Sequence, residues 1–425
     1  MTTEKSKEVS SINKERLFNY VNIFSFPRLA GTKEEERAVE LTIKTFKEIG
    51  FEEDEIKSQN FDFSTFYSKF MVKIIIFMNL VFITIILLVK LLYTFLTFTV
   101  ILILLLIFFS MRKVLKHPEL KGFWEKYFGN FFNATNIFVK IPANNKYSKK
   151  VGDIIVSAHL DSKSQTFKTI WRIIFAKIWL YSEIVLFLFY TFFLIDYHFL
   201  SVHIRMLLIL TEVIILIATI FTLISNSLLL FLRIGNKSKG SLDNATGMSI
   251  VFELSNFFKK NSLDNFNLWF CQFSAEEMGT MGSREFLDVY EDKFSKDLTF
   301  QINLDMISVL DNNSNHIEYI KSYGIFPRKK ISPILDNYFI KIAKSEEINY
   351  KGFHVSLGAH TDSVPFHLRK FDSLDITTKA AANYAHSVED TPDKVDPQIL
   401  LEVCRVIQLL LIMLDKNFKN LIKSD

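Results

Sequence analysis

Apolar residues gather in two long blocks, residues 70–111 and 170–233, while the chain around them mixes apolar and polar positions. In the first block, Ile74 to Val89 and Leu91 to Phe109 are uncharged runs separated by Lys90. One straight helix over both runs would be about 54 Å long, far more than a bilayer core of about 30 Å. The pattern therefore predicts two membrane spans turning near Lys90. The second block predicts two more, Ile173 to Ile195 and Met206 to Leu232, joined by a linker with Asp196, His198, His203 and Arg205. If the chain on either side of each block folds as one domain, each block must cross an even number of times, and two hairpins satisfy this.

Outside the blocks the periodicity changes. Residues 33–49 repeat apolar positions at helical spacing and stop at Gly50. Helices are also predicted over 248–260, 283–290, 332–345 and 397–414. Short β-rich runs predict strands at 61–66, 137–141, 153–158, 267–273, 299–304 and 374–377. Alternating strands and helices predict an α/β fold, a three-layer sandwich with a mixed, mostly parallel sheet, interrupted by two transmembrane helical hairpins. The expected domains are a discontinuous soluble domain (1–69, 112–169 and 234–425), hairpin 1 (70–111) and hairpin 2 (170–233). If the strands near 64 and 138 form an antiparallel meander with the 153–158 strand, both hairpins leave the sheet at the same end.

Composition adds limits. The chain is 49% hydrophobic and only 23% charged, which excludes a disordered scaffold. The net charge of +4 and the lack of a basic stripe give no case for nucleic acid. Cys271 and Cys404 sit in apolar contexts and read as buried free thiols. The N-terminal stretch is polar and charged, unlike a cleavable signal peptide. Basic residues flank the hairpins on the soluble side, among them Lys69, Lys73, Arg112, Lys113, Lys168, Arg172, Arg233 and Lys237, whereas the tips carry Lys90 and Arg205. The positive-inside rule then places the soluble domain in the cytosol of an integral, multi-pass membrane protein. The sequon Asn133-Ala134-Thr135 points the other way.

Chemistry-bearing residues recur just after the predicted strands, where open α/β sheets bind ligands. The first group is His159-Leu160-Asp161, whose ends point the same way on an extended chain. An imidazole there can bind a metal while Asp161 fixes its tautomer. The second is Asp243-Asn244-Ala245-Thr246-Gly247 before a helix; alone, Asp243 reads as a helix N-cap. The third is Glu276-Glu277, which follows an apolar strand where an unpaired acidic turn would be costly. Asn303-Leu304-Asp305 is the fourth, and His386-Ser387-Val388-Glu389-Asp390-Thr391-Pro392-Asp393 the fifth. A lone His386 would be an ordinary histidine. The ordered set is far more specific than any member.

This set resembles the two-zinc metallopeptidases that include aminopeptidase Y and the bacterial leucyl aminopeptidases. The resemblance spans the soluble part, from Pro27-Arg28-Leu29-Ala30-Gly31-Thr32 onward. It implies two Zn²⁺ per chain. His159 and Asp305 would hold one ion, Glu277 and His386 the other, and Asp243 would bridge them. Glu276 would be the general base and Asp161 the partner of His159. A cis peptide after Asp243 is also implied. Three carboxylates and a bridging hydroxide would neutralise two dications, and imidazole with carboxylate suits zinc. The implied activity is hydrolysis of N-terminal residues from peptides, with peptide substrates and the lipid bilayer as partners. The family often has a Ser-Asp-His triplet where this chain reads Thr361-Asp362-Ser363. Other readings are a glutaminyl cyclase, which shares this fold with one zinc, a carboxypeptidase-type relative, a non-catalytic receptor or scaffold, and a transporter with a regulatory soluble domain.

Overall fold

The computed structural model describes residues 12–90, 94–116, 123–145, 150–195, 205–310, 316–324, 328–355 and 361–423. The polar N-terminal stretch before residue 12, residues 91–93 next to the turn expected near Lys90, and the linker residues Asp196, His198 and His203 lie outside them. The chain forms two compact units: Met1–Phe63, Phe131–Lys168 and Gly235–Asp425 make the first, Ser64–Asn130 and Thr169–Ile234 the second.

The first unit runs α1 (Lys14–Phe24), α2 (Lys33–Ile49), β1 (Ile56–Ser64), β2 (Phe131–Ile141), β3 (Gly152–His159), α3 (Thr246–Lys260), β4 (Phe266–Phe273), α4 (Met281–Tyr290), β5 (Thr299–Leu304), β6 (Ile317–Tyr323), α5 (Leu335–Ser345), β7 (Tyr350–Val355), α6 (Ser363–Leu368), β8 (Asp372–Ile376) and α7 (Pro397–Lys416). The sheet order is β1-β2-β4-β3-β5-β8-β6-β7. Strands β4, β3, β5 and β8 are mutually parallel, as are β6 and β7, while β2 against β4 and β8 against β6 are antiparallel. The sheet is thus mixed and mostly parallel. The expected meander does not form, because β4 lies between β2 and β3.

Alternation along the strands builds the layers. Ile154, Val156 and Ala158 of β3 join Leu268, Phe270, Ile302 and Leu374 in a core that also takes in α1, α2, α3, α5 and α7. Ile155 faces the other way and packs with Trp269, Cys271, Phe273, Phe286 and Phe366, the last two from α4 and α6. Period-two side chains thus feed two helical layers from one sheet. Cys271 and Cys404 are buried free thiols, as read from their contexts. Helix 33–49 and strand 299–304 have the predicted bounds; the other predicted strands are displaced or longer. The sequence reading missed α1, α6, β6 and β7.

In the second unit, Val72–Lys90, Thr94–Lys116, Thr169–Ile195 and Arg205–Leu230 are helices. Ile83 and Ile86, Leu186 and Tyr190, and Ile215 and Ala218 pack together from three of them. A Thr222 Oγ1 to Ser182 Oγ hydrogen bond of 2.7 Å crosses between the last two. Among the described residues, four helices are long and apolar enough to cross a membrane: Phe66–Ile86, Thr169–Phe192, Ile209–Leu230 and Pro397–Lys416. The last is α7, whose Leu400, Val403, Val406, Ile407, Leu410 and Leu414 are spent on the sheet core. The helix 94–116 instead exposes Leu102, Leu106 and Phe109.

Candidate active site

The five predicted ligand residues converge beyond the carboxyl ends of β3, β4 and β5. His159 ends β3, Glu277 follows β4 and Asp305 follows β5. Asp243 sits in the turn Ser241–Ala245 before α3, and His386 in the loop after β8. His159 Nε2 lies 3.0 Å from Asp243 Oδ1 and 3.4 Å from Asp305 Oδ1. His386 Nε2 lies 3.2 Å from Asp243 Oδ2 and 3.0 Å from Glu277 Oε1. Two buried triads result, His159–Asp243–Asp305 and Asp243–Glu277–His386, each with ligand atoms within 4.8 Å of one another. Asp243 serves both, one oxygen to each.

The local backbone is shaped for this. Asp243 is followed by a cis peptide bond. Asn244 Nδ2 donates to Leu304 O at 2.8 Å, and Asn244 Oδ1 accepts from Met306 N–H at 3.3 Å, so the Asp243 turn is pinned to the end of β5 beside Asp305. Gly247 completes the motif for a steric reason: a Cβ there would lie 2.3 Å from Leu304 O. Asp390 accepts from Leu242 N–H at 2.6 Å and Asp243 N–H at 3.2 Å, fixing the same turn from the His386 loop. Ala275, Met306 and His386 all have φ between 52° and 63°. Left-handed non-glycine backbone concentrated here fits a functional site.

Asp161 acts differently from the expectation. His159 Nδ1 is 3.0 Å from the Asp161 backbone oxygen and 3.6 Å from its Oδ1, so the main-chain carbonyl is the closer partner of the imidazole. The Asp161 carboxylate instead accepts Glu276 N–H at 3.0 Å and Glu277 N–H at 3.3 Å. It holds the two-glutamate turn.

The electrostatics separate the carboxyls. Burial and the neighbouring Glu277, Asp305 and Asp362 push Glu276 well above the usual carboxyl range, with His159 opposing. Burial opposes ionisation of Glu277 as well, but His386 and Lys163 prevail and hold it down at about 2. At Asp243 burial is likewise overcome by His159 and His386, which hold it well below its usual range. His159 is pushed well above the usual imidazole range, since Asp161, Asp243 and Asp305 outweigh burial. Adjacent glutamates therefore differ: the site favours the ionised form of Glu277 and the protonated form of Glu276.

The residues fit a metal centre. His159 Nε2, Glu277 Oε1 and Asp305 Oδ1 are buried and take no hydrogen bond, although each points into the cluster. Buried polar atoms that converge without hydrogen-bond partners suit a cation. Thr361-Asp362-Ser363 lies nearby: Asp362 accepts from Ser283 Oγ at 2.5 Å, and Ser363 Oγ donates to Asp375 Oδ2 at 2.6 Å. Asp393, the last residue of the fifth motif, is exposed, pairs with Lys394 and is outside the cluster.

Four supporting residues escaped the sequence reading. Lys163 Nζ reaches Glu277 Oε2 at 2.6 Å, and Gln165 Oε1 lies 3.1 Å from His386 Nδ1. No motif marked either. Arg28 and Asp390 lay inside quoted motifs but carried no role. The fully buried Arg28 donates to the carbonyls of Phe24, Phe26, Leu160, Lys239 and Gly240 at 2.6–3.1 Å.

Comparison with known proteins finds relatives in sequence and in fold. The chain is 26% identical over 173 residues to aminopeptidase YwaD of Bacillus subtilis strain 168, a match of 38% of this chain and 35% of that relative. The chain thus spans about a third of the curated relative it matches. Among solved structures, BSAP, a zinc aminopeptidase from Bacillus subtilis, superposes with a TM-score of 0.54 at 12% identity, covering 94% of this chain and 95% of that one. An aminopeptidase from Aneurinibacillus sp. strain AM-1 gives 0.53 at 13% identity over 95% and 94%. A glutaminyl cyclase from an Acidobacteriales bacterium gives 0.51 at 13% identity over 96% of each chain. At such identities the likeness is one of fold. The resemblance carried by the motifs is borne out in sequence over residues 226–411, which match Peptidase family M28 and include Asp243, Glu276, Glu277, Asp305 and His386.

Proposed function

We propose that this chain is a membrane-bound, zinc-dependent aminopeptidase. The observation that carries the proposal is the pair of buried triads sharing Asp243. In this reading His159 and Asp305 hold one zinc ion, Glu277 and His386 a second, and Asp243 bridges them. Bound there, the ions would supply Lewis acidity and ionise water near neutral pH.

The remaining work falls to the protein's own groups. Glu276, next to the ligand Glu277, accepts the proton of the attacking water on its carboxylate and passes it to the leaving amine nitrogen. Its raised pKa suits a group that must both take and return that proton. Asp161 keeps the carboxylate in place through the Glu276 and Glu277 N–H groups. The peptide's free N-terminal amine would face the remaining acidic surface of the cluster.

The hairpins suit a membrane anchor, and the positive flanks favour a cytosolic peptidase unit. Glycosylation mapping at Asn133, which is exposed on β2, tests that orientation. A glutaminyl cyclase is the second reading, because the fold likeness extends to cyclases. Full-length protein in detergent should hydrolyse aminoacyl chromogenic amides, lose activity to a chelator, regain it with zinc, and lack it as Glu276→Gln. Cyclisation of N-terminal glutamine peptides without amide hydrolysis would select the second reading.

A further inference from the structure

The two halves of the cluster are supported by groups of different charge. Behind His159 stands Asp161, with its carbonyl 3.0 Å from Nδ1 and an anionic carboxylate at 3.6 Å. Behind Glu277 stands Lys163. Its ammonium is 2.6 Å from Oε2, with the Lys163 and Glu277 side chains only 8% and 4% exposed, and it also donates to Glu277 O at 3.1 Å. Behind His386 stands the neutral Gln165, whose Oε1 is 3.1 Å from Nδ1 and whose N–H donates to His386 O at 2.8 Å. Lys163 and Gln165 come from one short segment directly after Asp161.

We infer that Lys163 and Gln165 make the Glu277–His386 half the weak, exchangeable member of the metal pair, taking its ion last and releasing it first. The inference rests on the two-metal reading above. An anion behind an imidazole strengthens it as a donor; a neutral amide does so less. A buried ammonium on a ligand carboxylate occupies one oxygen, draws charge from the other and repels a nearby dication. Lys163 also neutralises Glu277 when that half holds no ion, so losing that ion leaves no bare buried charge. Among the described residues, the His159–Asp305 half has no such cation. Glu277 does not need Lys163 for its placement, because its N–H is held by Asp161 Oδ2 at 3.3 Å.

The test is a zinc titration of chelator-stripped, full-length protein against a competing chromogenic chelator. Wild type should bind two ions in separated steps, the weaker lost in His386→Ala and the tighter in His159→Ala. Lys163→Met should tighten the weaker step, on the order of 10- to 100-fold, the usual reach of groups behind metal ligands. Lys163→Arg should keep the wild-type separation. Gln165→Glu, which leaves the buried ion pair intact, should also tighten the weaker step and keeps the test valid if Lys163→Met misfolds. Two equal steps in wild type, or a weaker step that is unchanged or loosened in both Lys163→Met and Gln165→Glu, overturns this inference while leaving the metal centre standing. Failure of wild type to bind zinc at all overturns the metal reading and this inference with it.

Discussion

Replacing Asp161 separates two accounts of the site. Its carboxylate accepts two backbone N–H groups, Glu276 at 3.0 Å and Glu277 at 3.3 Å, and is fully buried. Hydrogen bonds to a charged group contribute about 1.5–3 kcal/mol each, so Asp161→Ala should cost about 3–6 kcal/mol, concentrated on the turn that carries Glu276 and Glu277. Asp161→Asn keeps one acceptor oxygen and turns an NH₂ toward the other N–H, at about half that cost. The His159 tautomer should survive both changes, because the Asp161 main-chain carbonyl at 3.0 Å remains. The expected result for Asp161→Asn is a fall in kcat on the order of 100-fold, about 2.7 kcal/mol of transition-state stabilisation, with little change in KM. Zinc affinity at the His159 half should weaken by on the order of tenfold, because the anion behind His159 is lost, while the ion stays bound in zinc-saturated enzyme. Steady-state kinetics on zinc-saturated enzyme and competitive zinc titration read the two effects separately. Loss of zinc from the His159 half with kcat per bound zinc unchanged would refute this reasoning and return Asp161 to orienting His159.

Other expectations follow from single contacts. Arg28→Ala removes donors from five carbonyls; Phe24 O and Gly240 O keep the N–H groups of Phe26 and Ala245, so with about 1–3 kcal/mol for each of the other three, a loss near 5 kcal/mol and a Tm lower by about 10–20 °C are expected in thermal melts. Arg28→Lys should recover only part of this, since a point charge cannot reach several carbonyls at once. Gly247→Ala places a methyl against Leu304 O, 2.3 Å from its ideal position, and should lower stability and zinc occupancy together. Glu35 is buried and raised from 4.5 to about 7 by burial, with hydrogen bonds from Ser274 and Thr135 opposing. The folded state therefore binds this proton more tightly than the unfolded state. Its contribution, at most about 3 kcal/mol, is fully present below 4.5 and lost as pH rises through about 7. In urea melts of zinc-free protein, Glu35→Gln should flatten the decline between those pH values.

What the sequence revealed follows from where the information lies. The cluster residues advertise themselves, because a motif such as DNATG packs three constraints into five residues: Asp243 for the cluster, Asn244 for the tie to β5 and Gly247 for close approach to Leu304. The buried strands were legible from their apolar runs. The apolar blocks were legible by length, although α7 is apolar enough to imitate a span and is instead covered by the sheet core. Strand order was not legible: β4 enters between β2 and β3 from far along the chain, and local pattern carries no such pairing. Nor were Lys163 and Gln165, whose roles exist only once the Glu277 turn and the His386 loop meet the segment after β3. Asp161 was found, yet its partner atoms were not, since residues two apart share a face while the fold decides which atoms meet.

The central claim is a two-metal centre joined by Asp243, and metal content tests it most directly. Zinc per chain would be measured by mass spectrometry on full-length protein freed of loosely bound ions, for wild type, His159→Ala, His386→Ala and Asp243→Ala. The account predicts two ions in wild type, one in each histidine variant, and fewer than one in the Asp243 variant, because both halves lose a ligand. A single ion in wild type, lost in His159→Ala and unaffected by His386→Ala, would contradict the bridged pair.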